Sequence, residues 1–198
     1  MSAFAADPQL SNLLATVEAR YNRAKTLEVL FQEQYTRQGE PHRTESGRLK
    51  LRKPGRMRWD YAEPEGKLFL SDGKYLYLYT PADNRAERMK LKETDDMRAP
   101  LAFLLGKLHF QREFRNLRGV QAGASWRITA EPKTDDLPYR EVEFVVAQDG
   151  HIEEVKVTGY DQAVLDFHFD QEKVDPALSA ALFQFHLPAG AQLTEGDQ

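Results

Sequence analysis

Arg48-Leu49-Lys50-Leu51-Arg52-Lys53-Pro54-Gly55-Arg56-Met57-Arg58-Trp59-Asp60-Tyr61 alternates apolar with charged residues on both sides of a Lys-Pro-Gly break. A side-chain period of two, interrupted by proline and glycine, describes two half-buried antiparallel strands joined by a tight turn. With Lys53-Pro54-Gly55 as a three-residue loop and Gly55 in the left-handed position, cross-strand partners sum to 108. Leu51 then faces Met57 and Leu49 faces Trp59 on the inner side, while outside Arg52 faces Arg56 and Lys50 faces Arg58. Like charges placed opposite one another destabilise a sheet. The outer face is therefore either an ordinary charged surface relieved by nearby acids or a surface that docks an acidic protein or lipid head groups. It does not resemble a nucleic-acid groove, in which exposed aromatics lie between the cations, because these aromatics face inward.

The same period runs through most of the chain. Leu27, Val29, Phe31 and Tyr35 alternate with polar residues, interrupted only by Leu30 and Glu33; Leu68 to Leu70 and Tyr75 to Tyr79 flank the hairpin signal Ser71-Asp72-Gly73-Lys74. The Tyr75–Tyr79 strand has tyrosines on one face and leucines on the other, and is expected to be covered on both. Further strands are expected at 85–91, around Phe110 to Arg115, at Trp126 to Ala130, Val142 to Val146, Ile152 to Val157 and Ala163 to Phe169. Residues 8–25 carry a helical stripe of Leu10, Leu13, Leu14, Val17, Tyr21 and Ala24 behind the start signal Asp7-Pro8. The apolar run after Pro100 reads as a short helix, and Asp175-Pro176 as the cap of another carrying Leu178 and Leu182, with Phe183 to Leu187 as a last strand. The total is about eleven strands and no βαβ crossover, hence a mainly β (α+β) fold: one twisted antiparallel sheet curled toward a barrel, with helices on its concave side.

Composition removes most chemistry. With 27 Lys plus Arg against 31 Asp plus Glu the 198-residue chain has a net charge of −4, and it has no cysteine, so thiolate catalysis, thiolate metal sites and disulfides are excluded. Mean hydropathy is −0.63, and no apolar run approaches the ~18 residues of a membrane-spanning helix. Nucleophile-elbow, zinc-protease, P-loop and dinucleotide-binding motifs are absent. Asp166, His168 and Asp170 share one face of a strand and are competent metal ligands, but Phe167 and Phe169 between them need to point inward, which leaves the three on the wet side. Asp95-Asp96 and Asp135-Asp136 read as loop acids. No catalytic residue, metal or cofactor is expected.

The 11 Phe, 8 Tyr and 2 Trp fall largely on the inward parity. Such a stripe is either ordinary core or the lining of an apolar cavity, since one curled sheet encloses more volume than a few helices fill. Ala3-Phe4-Ala5 has the small-x-small form of a secretory cleavage site, so residues 1–7 read as a signal-peptide remnant or a frayed terminus and 8–198 as a single domain.

Ser46-Gly47-x-Leu49-x-Leu51-Arg52-Lys53-Pro54-Gly55-Arg56-Met57-Arg58-Trp59-Asp60-Tyr61, then Pro64, then Ser71-Asp72-Gly73-Lys74-x-Leu76-x-x-Tyr79-x-Pro81, resembles the LolA family of periplasmic outer-membrane lipoprotein carriers. The resemblance extends to a "Phe-x-Gln" strand at Phe31-Gln32-Glu33, the leucine-rich segment after Pro100 and the closing Phe183-x-Phe185-x-x-Pro188-x-Gly190. It implies an incomplete barrel of about eleven strands with a helical lid over a hydrophobic cavity. It also implies a monomeric, non-enzymatic periplasmic carrier that shelters acyl chains between an inner-membrane ABC transporter and an outer-membrane receptor lipoprotein. Carried onto this chain, the cavity wall is Phe31, Leu49, Leu51, Met57, Trp59 and Tyr61, and the lid is Leu101, Phe103, Leu104, Leu105 and Leu108. The family's lid-latching arginine falls at Lys53, whose ammonium reaches a carbonyl without the arginine fork. Related half-barrels that carry or sense other envelope lipids or glycolipids are the alternative, followed by an adaptor with a filled interior and, last, an enzyme.

Overall fold

The computed structural model describes residues 8–40, 42–90, 108–134 and 137–196. Helix α1 (Pro8–Arg23) leads into β1 (Thr26–Thr36), β2 (Arg43–Arg52), β3 (Arg56–Glu63), β4 (Leu68–Asp72), β5 (Tyr75–Thr80) and β6 (Arg85–Lys90). A single-turn helix α2 (Phe110–Glu113) precedes β7 (Phe114–Ala122), β8 (Ser125–Pro132), β9 (Tyr139–Ala147), β10 (Ile152–Gly159), β11 (Val164–Val174) and β12 (Gln192–Glu195). These strands form one twelve-stranded sheet in the order β12-β6-β5-β4-β3-β2-β1-β11-β10-β9-β8-β7. Every neighbouring pair is antiparallel except β12 with β6, and β7 and β12 stand at opposite edges, so the barrel is incomplete.

The deciding hairpin has the expected register. Leu49 pairs with Trp59, Leu51 with Met57, Lys50 with Arg58 and Arg52 with Arg56, and Gly55 turns the chain with φ +70°. Its like-charged outer face is neutralised in two ways. Asp60 accepts from Lys50 at 2.6 Å and from Arg58 at 2.7 Å, while Arg52 and Arg58 also donate to the carbonyls of Leu178 and Leu182. Those carbonyls belong to residues 175–191, which run behind the convex face as a belt. Thr26 on β1 donates to Pro176 O, Arg52 and Arg58 hold the belt behind β2 and β3, and Phe185 stacks on Tyr77 of β5 with centroids 4.5 Å apart. The chain then joins β6 as β12. Tyr77 outside and Leu76 inside are thus both covered, as the alternation of β5 requires.

Three local expectations are corrected. Phe183 to Leu187 is not a strand, because this part of the belt lays its apolar surface on the outside of the sheet, with Phe185 stacked on Tyr77; a short 3-10 turn spans Ala180–Phe183, and the last strand lies at Gln192–Glu195. Asp175 caps no helix after it. Its carboxylate instead accepts from the backbone N–H groups of Lys25 and Thr26, closing the α1–β1 junction, and Ser179 caps the 3-10 turn. Phe110 to Arg115 is a helical turn followed by a strand that continues to Ala122. As an edge strand with a bulge between Arg115 and Arg118, β7 buries only Phe114 and has no alternation to read.

On the concave side, α1 rests on the β7–β11 half of the sheet. Leu10 lies over Gly119, and Thr16 and Val17 lie so close to Gly150 that a Cβ there would meet them at 2.9–3.1 Å. The buried Tyr21 hydroxyl accepts from the Ile152 N–H at 2.9 Å and donates to Glu172 at 2.7 Å, and Arg20 meets the same carboxylate at 2.6 Å. Burial, and after it the Glu172 charge, raise the Tyr21 pKa far above the ordinary phenol value. Phe110, Phe114 and Phe144 form an aromatic cluster in this half.

Candidate functional site

The six wall residues expected from the sequence lie together on the inner face of β1, β2 and β3, and all are buried. Phe31 meets Trp59 edge-on at 4.7 Å and Tyr61 at 5.1 Å, and Trp59 lies 5.5 Å from Phe167 of β11. The Trp59 indole N–H points at the Met57 sulfur at 3.4 Å, so its one polar atom is satisfied without interrupting the apolar surface.

Gly47 makes this arrangement possible. It is the register partner of Phe31 on one side and of Tyr61 on the other, and those two rings meet across it. A Cβ at Gly47 would lie 2.1 Å from Asp60 O, a close approach that no other residue type allows. The bulge between Ser46 and Gly47, with that between Glu28 and Leu30, bends the sheet here. On the convex side of the same bend is a groove of about 570 Å³ lined by Leu30, Gln32, Arg48, Asp60, Ala62 and His168, among others.

The lid residues Leu101, Phe103, Leu104 and Leu105 fall outside the described residues. Leu108 is described and buried, and it is fastened to α1 by two bonds: Asn22 donates to its carbonyl at 2.8 Å and accepts from its N–H at 2.6 Å. Glu18 takes the Phe110 N–H at 2.7 Å. The expected latch residue Lys53 donates to Tyr21 O, in the last turn of α1, at 2.5 Å. Its pKa is lowered, because burial outweighs the opposing pull of Asp175. Lys53 therefore ties the wall to the helix that itself grips residues 108–110. Lys90, opposite Tyr75, and Leu108, bonded to Asn22 of α1, both lie at the Lys53 end of the sheet.

Asp166, His168 and Asp170 lie on the outer face. His168 faces the Glu154 carboxylate at 3.1 Å, and no cluster of three metal-competent side chains occurs among the described residues. The sequence reading missed Glu33. It interrupts the apolar row of β1, yet it occupies an inward position, is 6% exposed and lies 3.4 Å from the Tyr61 hydroxyl.

A family model described as "Outer membrane lipoprotein carrier protein LolA" matches residues 22–186. The chain belongs to the LolA family. Among LolA relatives, the outer-membrane lipoprotein carrier protein of Chromobacterium violaceum is 28% identical over all of this chain and 94% of its own length. That of Proteus mirabilis is 24% identical over 90% of this chain and 86% of its own. A solved structure described as an uncharacterized conserved protein from Thermus thermophilus has the same fold, with a TM-score of 0.56 at 13% identity, covering 94% of this chain and 99% of that one. No helix among the described residues is long and apolar enough to cross a membrane.

Proposed function

We propose that this LolA-family chain carries outer-membrane lipoproteins through the periplasm, holding their acyl chains against the concave wall of Phe31, Leu49, Leu51, Met57, Trp59 and Tyr61. The family match over residues 22–186 is the observation that carries this reading. The donor is an inner-membrane ABC transporter, the acceptor is an outer-membrane receptor lipoprotein, the carrier acts as a monomer, and the work is transfer rather than catalysis. Each buried methylene contributes ~0.8 kcal/mol, so several long chains would bind almost irreversibly unless the empty state were stabilised too. Closure of the leucine-rich segment over the empty wall offsets that gain. Leu101, Phe103, Leu104, Leu105 and Leu108 supply the closing surface, and Lys53 latches it through α1.

Native mass spectrometry of protein purified from the periplasm tests the reading: a bound acylated lipoprotein supports it, and a bound glycolipid or other free lipid replaces it with a different cargo. Lys53→Leu should leave acyl uptake within about twofold and slow transfer to the receptor. Unchanged transfer would remove the latch role.

A further inference from the structure

The convex groove behind Gly47 gathers three sequence features that the carrier reading leaves unused. They are Leu30, which breaks the polar parity on the outer side of β1; Arg48, from the basic face of the β2–β3 hairpin; and Asp170, the last member of the Asp166, His168 and Asp170 row. The register sets them in one line. Leu30 pairs with Asp170 on one side and with Arg48 on the other, so acid, leucine and base stand side by side across β11, β1 and β2. Next to this line Gln32, Ser46 and Ala62 carry no charge, and the two bulges bend the sheet, leaving a hollow of about 570 Å³.

Both charged ends have bonding capacity to spare. Asp170 accepts the N–H of the adjoining Gln171 at 2.8 Å and has no cation at ion-pair distance among the described residues. Arg48 gives one Nη1 hydrogen bond to Glu28 at 2.8 Å, and Lys173 takes the same carboxylate oxygen at 2.9 Å. The other N–H donors of the Arg48 guanidinium have no partner among the described residues. Asp60, the acid on the far side of Arg48, is held by Lys50 and Arg58. The Arg48 side thus has surplus positive charge, while on the Asp170 side His168 is already opposed by Glu154 at 3.1 Å. A polyanion would meet Asp170, so the matching ligand carries both signs with a short apolar link between them. Asp170 and Arg48 are two strand spacings apart, about 10 Å, with Leu30 between. The guanidinium fork takes two phosphate oxygens at once. We propose that this groove binds a phosphoethanolamine ester, its phosphate on Arg48, its ammonium on Asp170 and its methylenes across Leu30. The site lies on the opposite face of the strands from the acyl wall and does not depend on the carrier reading.

The test uses the whole protein, glycerophosphoethanolamine, and glycerophosphoglycerol, which keeps the phosphate and lacks the ammonium. Calorimetric titration of the parent should favour the zwitterion by about tenfold. Asp170→Asn should bind the two esters equally, and Arg48→Gln should weaken both by about tenfold. Because Arg48 also pairs with Glu28, the loss of preference in Asp170→Asn, a change at an exposed residue, is the deciding result. A neutral fluorescent acyl ester should bind Asp170→Asn within about twofold of the parent, so failure of the groove leaves the carrier reading standing. Vesicles containing phosphatidylethanolamine, compared with vesicles of phosphatidylglycerol alone, identify the source. Retention that Asp170→Asn abolishes makes the ligand a membrane head group, and binding of the soluble ester without retention makes it a free ester; either result supports the site. The site is overturned if the parent binds neither soluble ester, if it binds both alike, or if Asp170→Asn keeps the parent's preference.

Discussion

The two halves of the sheet use their glycines differently. In the β7–β11 half, Gly150 lets a helix approach the sheet, and α1 settles on it through Thr16, Val17 and the Tyr21 hydroxyl. In the β1–β6 half, Gly47 lets one strand approach another, so that a Cβ there would strike the Asp60 and Tyr61 backbone, and its register partners Phe31 and Tyr61 meet ring to ring. One half thus commits its concave face to the chain's own helix through directional bonds. The other has an aromatic wall in which ring contacts among Phe31, Trp59, Tyr61 and Phe167 predominate. The apolar burial that these rings provide is non-directional, whereas the Tyr21–Glu172–Ile152 network is fixed by directional hydrogen bonds.

The difference can be broken on either side. Gly47→Ala should have the largest effect, because the new Cβ meets backbone rather than a movable side chain; a loss of about 4 kcal/mol or more is expected, read as failure to accumulate folded protein. Gly150→Ala should cost about 2–3 kcal/mol, combining the positive φ of +83° with contact against α1. It should loosen α1, seen as faster amide exchange in the helix while the β1–β3 amides stay protected. Tyr21→Phe removes a buried hydroxyl that serves two partners and should cost about 1–3 kcal/mol, or roughly 2–4 °C of melting temperature per kcal/mol in a chain of this size. Phe185→Ala takes away the ring stacked on Tyr77 and should cost about 1–2 kcal/mol, with the β5 and β6 amides affected before those of β8 and β9.

The smallest effect depends on pH. Hydrogen bonds from the Lys25 and Thr26 N–H groups hold the Asp175 carboxyl below its ordinary value of 3.8. A depressed carboxyl pKa contributes stability that is fully present above the unfolded value and is lost as pH falls through the folded one. Asp175→Asn should therefore be slightly less stable than the parent near neutrality, and the gap in urea midpoint should narrow as the solution is acidified below pH 3.8. A gap independent of pH would place the effect in the left-handed backbone of residue 175, φ +56°, rather than in its charge.

Legibility in the sequence followed locality. The β2–β3 hairpin was readable to the register because partners close in the chain alternate in phase around Pro54-Gly55, and the wall residues followed from that phase. The belt was not, because Phe183 and Phe185 alternate like a strand while their partner surface is the outside of strands more than a hundred residues earlier. Glu33 was visible only as a break in a pattern; its inward position and its neighbour Tyr61, 28 residues on, emerge when β2 brings the two together. Lys53 was expected to reach a carbonyl, but nothing local to Lys53-Pro54 indicates that α1 supplies it.

The belt also settles who keeps the sheet curved. Closed barrels hold their shape by sealing the seam, and many open ones by plugging the bore, so that emptying the bore threatens the walls. Here the hoop is on the outside, tied at Thr26, Arg52, Arg58 and Tyr77 like a band around staves. A hoop placed there bears on β1 to β5 without touching the concave wall.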